Sequence, residues 1–318
     1  MKVSELRELL KGKETKMIVD VLVETYKAVP KIKKEDLDIT IQSLLSGKGK
    51  TKEKNKAEIN CTELFSEIEE FEANAYARNY FIPNRVIPKK ERPKWRFKAK
   101  RYIKDLMAIP CSHKEFKTAT DYLIKIYNVL RHGCEYYIFS TEDPFQSVGF
   151  EQEYLFNGIV ERMIQANPDV NTMQDLIDMI VGNGYSYECT HDYLYAILDM
   201  TIKNPIYRTM MVEVARNRLS KYSGKENIDY CGEFYVARDI LFIFRNDNKE
   251  DAFNEYFKYV YSDLEVTLYT LLELIERFKN DNVLWIEAYE YGIKQGIEPR
   301  ERLREKYEEY KGALTKLA

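Results

Sequence analysis

Apolar residues recur along most of the chain at spacings of three and four, which places them on one face of an α-helix. Residues 113–131 show this pattern most clearly, with Phe116, Ala119, Leu123, Ile126 and Leu130 in register. Ser112 and Glu115 resemble a capping box at the start of the segment. The sequence therefore predicts one long amphipathic helix here, and the same spacing predicts further helices around 173–180 and 264–278.

Helix-stop signals divide the amphipathic pattern into segments of ordinary helical length. They fall at Pro30, Gly133, Asn167-Pro168, 182–184, Asn204-Pro205 and 297–299. Alternating strand patterns are missing, although the short apolar runs at 136–140 and 240–244 cannot be classified by periodicity alone. We therefore expect an all-α fold, built as an irregular array of antiparallel helical hairpins, bundle-like or solenoid-like, in two sub-domains.

Composition along the chain predicts four regions. Residues 1–45 form an N-terminal helical unit, and residues 46–60 form a flexible Lys-rich linker whose first part reads "SGKGKTKEKNKAE". Residues 61–167 form a central helical domain that carries a basic helix, and residues 168–318 form a C-terminal helical array. Since the lysines between 46 and 58 have few apolar neighbours, we expect a protease to cut there first.

Overall composition is typical of a protein that buries a sizeable core. The chain has 318 residues, of which 45% are hydrophobic. Its first residues lack the apolar core of a signal peptide, its five cysteines are widely spaced, and no apolar run approaches the roughly 18 residues of a membrane span. The sequence predicts a cytoplasmic protein with reduced thiols that neither crosses nor binds a membrane.

The first half of the chain resembles a known group of proteins. Four segments carry the resemblance: "LRELLKGKETKMIVDVLVETYKAVPKIKKEDLDI", "RPKWRFKAKRYIKDL", "LIKIYNVLRHGCEYY" and "EDPFQSVGFEQEYLFNGIVERMI". They are similar to an uncharacterised bacterial helical family, a domain of unknown function, and the similarity extends to about residue 165. The resemblance implies an all-helical fold and a bacterial source, and it supplies no activity, cofactor or catalytic residue.

The stretch "KKERPKWRFKAKRYIKD" at 89–105 is the most basic part of the chain, with nine Lys or Arg against two acids, although the whole chain has a net charge of −3. Wound as a helix from Pro93, it separates an apolar side from a basic side. The apolar side holds Trp95, Ala99, Tyr102, Ile103 and Leu106. The candidate binding residues on the other side are Arg92, Lys94, Phe97, Lys98, Lys100, Arg101 and Lys104. Such a segregated positive field attracts acidic protein surfaces or polyanions.

Three interpretations of this helix compete. It can be a solvated face balanced by the acidic segment 62–72, or a surface that docks a partner protein, or a nucleic-acid contact in which Phe97 stacks on a base. The lysines of 46–58 and a similarity of "VSELRELLKGKETKMIVDVL" to a SAP-type DNA-binding hairpin favour the last. Our prediction is a non-catalytic helical binding or scaffold protein with a protein partner; the alternative is a nucleic-acid-binding protein, and the third reading is an enzyme of unrecognised chemistry.

Cysteine and histidine occur in three pairs, each two residues apart. They are Cys111 with His113, His132 with Cys134, and Cys189 with His191. Both residue types are common zinc ligands, but the predicted helix from about 113 to 131 would be about 28 Å long, so the first two pairs cannot share an ion. The alternative is that the cysteines pack as small hydrophobes and His132 with Gly133 ends a helix. We expect no metal and no cofactor. The weaker alternative is a metal site that joins Cys189 and His191 to one of the other two pairs.

Tyrosine is unusually frequent, with 25 in the chain. Most recur at helical spacing beside Leu and Ile, which indicates positions at the edge of the core with the hydroxyl at the surface. An aromatic binding face is the alternative.

Overall fold

The computed structural model describes residues 9–28, 41, 59–81, 86–166, 168–182, 184–222, 232–245, 248–260 and 263–317. Within these ranges 73% of residues are helical, in 14 α-helices, and none forms a strand. The predicted all-α, bundle-like fold is therefore confirmed. The apolar run at 240–244 is helical, and the run at 136–140 is irregular chain that follows a helix.

The chain divides into two compact units, Met1–Glu58 and Ile59–Ala318. In the first unit the structure describes helix α1, Thr15–Ala28, whose apolar side chains Met17, Val19 and Leu22 are about half exposed. The part of the predicted linker from 46 to 58 lies outside the described residues, so its flexibility stays a prediction.

The second unit begins with the elements around the basic stretch. They are α2 (Cys61–Tyr76), a 3₁₀ turn (Arg92–Lys94), α3 (Trp95–Met107), α4 (Phe116–Glu135), α5 (Pro144–Val148), α6 (Gln152–Gln165) and α7 (Val170–Asp178). The remaining helices are α8 (His191–Thr201), α9 (Pro205–Ser220), α10 (Gly232–Phe244), α11 (Lys249–Tyr256), α12 (Leu264–Leu274), α13 (Asn282–Lys294) and α14 (Glu301–Leu317). A π-helical segment, Ile275–Lys279, continues α12.

Side-chain caps explain why several of these helices begin where they do. Asp143 accepts a hydrogen bond from the Gln146 amide (3.0 Å) at the start of α5, where Pro144 takes the first helical position. Asp169 and Thr172 form a reciprocal capping box at the start of α7. Asn204 caps α9, so the Asn-Pro signal there marks the start of a helix as well as a break.

Helix α4 begins and ends differently from the sequence prediction. It starts at Phe116, and the Glu115 amide donates to His113 Nδ1 (3.1 Å), so the predicted Ser112–Glu115 capping box is wrong. Gly133 does not end the helix, which continues to Glu135. This glycine is required by packing instead, because a Cβ there would lie 2.8 Å from Cγ of Pro144.

One continuous core runs through the second unit, and it includes buried side chains from Leu64 to Leu303. Helices α2 and α3 both pack on α4, α4 packs on α6, and α6 contacts α8. The predicted boundary near Asn167-Pro168 falls inside this unit, and Asn167 itself lies outside the described residues. Side chains bond across that position, since Arg131 on α4 donates to the Val181 carbonyl (2.6 Å).

Candidate binding surface on the basic helix

Helix α3 is held in place by its apolar side, as predicted. Trp95, Ala99, Tyr102, Ile103 and Leu106 are its buried residues. The Trp95 ring stacks on Phe139 with centroids 3.9 Å apart, and Tyr102 packs edge-on against Phe71. Because this aromatic cluster fixes the rotation of the helix, the opposite side, with its cations, faces solvent.

Phe97 lies in the middle of that exposed side. Its ring is 63% exposed, and Lys100, Arg101 and Lys104 follow it at the helical spacings of three, four and seven that share one face. Lys94 lies one turn before it, and the Arg96 guanidinium lies 5.2 Å from its ring centroid. We call Phe97 together with Lys94, Lys98, Lys100, Arg101 and Lys104 the basic face.

The cations of the basic face differ in their partners. Arg101 forms an ion pair with Glu67 of α2, and Lys94 pairs with Glu91 at 2.7 Å. Within the part of the chain that the structure describes, Lys98, Lys100 and Lys104 contact no carboxylate. Lys98 and Lys104 are also exposed, whereas Lys100 is partly buried, so two exposed positive charges stay uncompensated beside an exposed aromatic ring.

Arg92 belongs to the fold more than to the basic face. Its Nε donates to the Ile87 carbonyl (2.8 Å), and its side chain is half-buried in the 3₁₀ turn. Of the seven residues that the sequence selects, the structure places five at exposed positions of α3 and of the 3₁₀ turn before it. Lys100 is partly buried at the flank of α3, and Arg92 is turned toward the preceding chain.

The acidic segment 62–72 does lie beside the basic helix, as α2. Its Glu67 reaches Arg101, while Glu69 and Glu72 point the other way and meet Tyr122 and Lys125 of α4, the latter pair at 3.4 Å. Only Arg101 on the basic face is neutralised by α2. The surface consequently presents a positive stripe next to a negative one.

The flank of α3 away from α2 meets the connection between α5 and α6. The Lys100 Nζ lies 5.9 Å from the Phe150 ring centroid, and a Cβ built on Gly149 would lie 2.9 Å from the same nitrogen. Beyond Phe150 opens a cleft of about 540 Å³ whose walls include Tyr154 and Tyr187. The basic face therefore borders a concave aromatic site.

The three Cys and His pairs do not come together as a metal site. His113 and His132 lie at opposite ends of α4, and the His132 ring packs between Tyr76 (5.1 Å) and Tyr136 (4.5 Å). The His191 ring packs against Tyr185 at 4.7 Å. Among the residues that the structure describes, no group of three or more His, Cys, Asp or Glu is placed to hold a metal ion.

Burial governs the chemistry of the two central thiols. It raises the pKa of Cys134 and of Cys189 to about 12, so both stay protonated at neutral pH. Burial also lowers the pKa of His132 and of His191. His132 and His191 both lie against tyrosine rings, and Cys189 is buried. Cys111, by contrast, is exposed.

The cleft residues are those that sequence reasoning missed. Phe150 and Glu151 belong to the "FEQE" run, which carried no signal beyond an acidic helix face, and Tyr187 and Glu188 lie far from it in sequence. Hydrogen bonds of the folded chain tie the two regions together, among them the bond from Ser186 Oγ to Asp143 (2.6 Å) and the bond from the Ser186 amide to Gln152 (2.8 Å).

Comparison with known proteins gives no relative. No family model matches the chain, and no curated protein or solved structure is significantly similar to it. The resemblance to a bacterial helical family therefore stays a prediction. No helix in the described ranges is both long and apolar enough to cross a membrane.

Proposed function

We propose that this chain is a non-catalytic helical binding or scaffold protein that docks an acidic partner protein through the basic face of α3. One observation carries the proposal: Phe97 is 63% exposed at the centre of a cationic helix face. An exposed aromatic ring surrounded by cations is the composition of an interface anchor, because Trp, Tyr, Phe and Arg are enriched at interface centres.

The charge pattern favours a protein over a nucleic acid as the partner. A polyanion laid across α3 would also meet the carboxylates of α2, among which Glu63 and Glu70 are exposed. A protein partner can place acids opposite Lys98 and Lys104 and bases opposite α2. The positive stripe on α3 and the negative stripe on α2 therefore favour a partner surface that carries charges of both signs.

The test uses two variants that leave the ion pairs of α3 intact. Lys98→Glu with Lys104→Glu reverses the two uncompensated charges, and Phe97→Ala removes the anchor. The matched control is Lys203→Glu with Lys294→Glu, two exposed lysines without carboxylate contacts in the described part of the chain, which changes the net charge equally. All three proteins should keep the helical circular dichroism spectrum of the wild type.

Binding is measured first by capture from extract of the source cells with and without nuclease, and then with the purified captured protein. We expect a nuclease-resistant protein that the control retains and that both α3 variants bind at least about tenfold more weakly, as for an anchor residue. Nanomolar binding of generic duplex DNA or single-stranded RNA at physiological salt, lost in the charge variant, would instead establish the nucleic-acid alternative.

A further inference from the structure

The cleft beside the basic face has walls that the fold holds rigidly. The Asp143 carboxylate accepts from the Gln146 amide (3.0 Å), the Ser186 hydroxyl (2.6 Å) and the Tyr187 amide (3.3 Å). The fully buried Gln152 accepts from the Ser186 amide (2.8 Å) and donates to the Tyr127 hydroxyl (3.1 Å). The connection before α6 and the turn at 186–188 are thereby tied together, and the cleft between them is pre-organised.

Three aromatic rings line the cleft. Phe150 and Tyr154 are nearly parallel, with an interplanar angle of 16° and centroids 6.1 Å apart. Tyr154 and Tyr187 are 56% and 72% exposed. The Tyr187 hydroxyl donates to Glu142 (2.5 Å), and this bond raises the pKa of Tyr187 to about 12, which keeps the phenol neutral.

The charges that line the cleft are all negative. The Asp143 carboxylate accepts hydrogen bonds from the protein itself. Glu151 and Glu188 are exposed, and in the described part of the chain their side chains form no ion pair or hydrogen bond. No Lys or Arg side chain lines the cleft. Open carboxylates beside the faces of neutral aromatic rings attract cations, because the ring quadrupole adds to the Coulomb attraction.

The structure already contains one such contact at the edge of the cleft. The Lys100 ammonium lies 5.9 Å from the Phe150 ring centroid, at the outer limit of a cation–π contact. The same contact joins the cleft to the basic face. A bound chain that places acids along α3 would continue over Phe150 toward Glu151 and Glu188.

We infer that the cleft receives an arginine or lysine side chain of the partner that docks on the basic face. The partner segment would then be bipartite, with acidic residues for α3 and one basic residue for the cleft. This inference rests on the proposed function, because it assumes that a protein chain lies on α3. An anionic small molecule does not fit, because it would face two open carboxylates.

Two probes test the halves of the inference separately. Nα-acetyl-arginine methylamide, with its uncharged citrulline analogue, reports on the cleft, and a short peptide of Glu and Leu reports on the basic face. We expect the arginine probe to shift the NMR resonances of Tyr154 and Tyr187 and to bind roughly two- to thirtyfold more tightly than the citrulline analogue. Glu188→Gln should remove most of that preference without changing the melting temperature, since Glu188 is exposed.

Lys100→Gln provides a variant whose effects on the two probes have opposite signs. It removes a like charge beside the cleft, so the arginine probe should bind more tightly, while the acidic peptide should bind more weakly. Lys98→Gln is the matched control, because Lys98 projects from the other flank of α3; it should weaken only the acidic peptide.

The final measurement joins the halves. It uses a set of Glu/Leu peptides, each with one arginine at a different position. At one of these positions the arginine peptide should bind more tightly than the same peptide with citrulline. Glu188→Gln should abolish this difference in affinity. Equal binding of arginine and citrulline probes would overturn the cleft assignment and leave docking on α3 standing. If the arginine probe bound but the acidic peptide did not, the proposal that a protein docks on α3 would be wrong. The inference of a bipartite partner segment would then be wrong as well.

Discussion

Gly133 shows how a residue that signals a helix end can serve another purpose. In α4 it lies inside the helix and faces two rigid rings, since a Cβ there would lie 2.8 Å from Cγ of Pro144 and 3.0 Å from Cδ2 of Phe139. Neither ring can bend away as a flexible side chain would. The position therefore selects glycine for close packing.

We predict that Gly133→Ala destabilises the protein by about 1–3 kcal/mol, because overpacking outweighs the gain in helix propensity. Gly312→Ala is the matched control: this glycine is also helical, in α14, and a Cβ there would have no neighbour within 4 Å. The control should stabilise the chain by up to about 1 kcal/mol. The measurement is the free energy of unfolding of both variants in urea. A Gly133→Ala protein that is more stable than the wild type would contradict the inference that close packing requires glycine here.

Asp239 gives a prediction about pH. Burial raises its pKa to about 7, and the Tyr195 hydroxyl donates to it at 3.4 Å. Between pH 4 and 7 the folded protein holds this proton while the unfolded chain has released it, so the contribution of Asp239 to the free energy of unfolding falls as pH rises. The lowered pKa values of His132 and His191 act in the opposite direction over part of this range. The decline should approach about 1.4 kcal/mol per pH unit at most and end above pH 7.

Asp239→Asn keeps an oxygen acceptor for Tyr195 and removes the titration. Urea midpoints of the wild type and the variant, measured from pH 5 to pH 8, should converge at the acid end and separate at the alkaline end, with the variant more stable there. If the urea midpoints of the two proteins changed in parallel with pH, ionisation of Asp239 would not affect the stability of the folded protein.

At the scale of whole elements, arginines join helices that are distant in sequence. Glu255 on α11 receives both Nε (2.6 Å) and Nη2 (3.0 Å) of Arg216 on α9, and Arg245 after α10 donates to the same carboxylate at 2.5 Å. Glu255 is only 6% exposed. Burial acts to raise its pKa, but the two arginines act more strongly together, so the pKa is lowered overall.

We predict that Glu255→Gln costs about 1–3 kcal/mol, because it removes the carboxylate that Arg216 and Arg245 share, although both guanidinium groups are partly exposed and Arg245 also contacts Asp251 at 3.7 Å. Glu250→Gln, on the same helix but exposed and without an ion pair in the described part of the chain, should change stability by less than about 0.5 kcal/mol. Thermal melts at pH 7 compare the two. A loss of equal size in both variants would mean that the Arg216 and Arg245 contacts contribute little.

At the scale of the whole molecule, the core of the second unit takes its described side chains from 64 to 303 and crosses the Asn167-Pro168 position. We predict that residues 59–318 fold alone with the melting temperature of the full chain, whereas 59–166 and 168–318 expressed separately do not fold. Split halves would expose the contact of α6 with α8 and leave Gln152 without its Ser186 partner. Cooperative melting of an isolated half would support the predicted domain boundary.

Some features of this protein can be predicted from local periodicity. The helical class of the fold and the orientation of α3, with Trp95 inward and Phe97 outward, depend on spacings within a single helix, and such spacings are readable without tertiary contacts. The sequence left the packing of the acidic segment 62–72 beside this helix as part of one of three interpretations. The structure shows that α2 lies beside α3 and that, on the basic face, its Glu67 pairs with Arg101.

The cleft and the role of Gly133 depend on contacts between distant parts of the chain. The cleft joins Phe150 and Glu151 to Tyr187 and Glu188 through buried bonds of Asp143 and Gln152, and none of these pairings leaves a mark at helical spacing. Gly133 leaves space for the ring of Pro144, which lies eleven residues later in the chain. Local sequence governs which side of a helix is buried, whereas the partners on that side depend on how the chain returns to it.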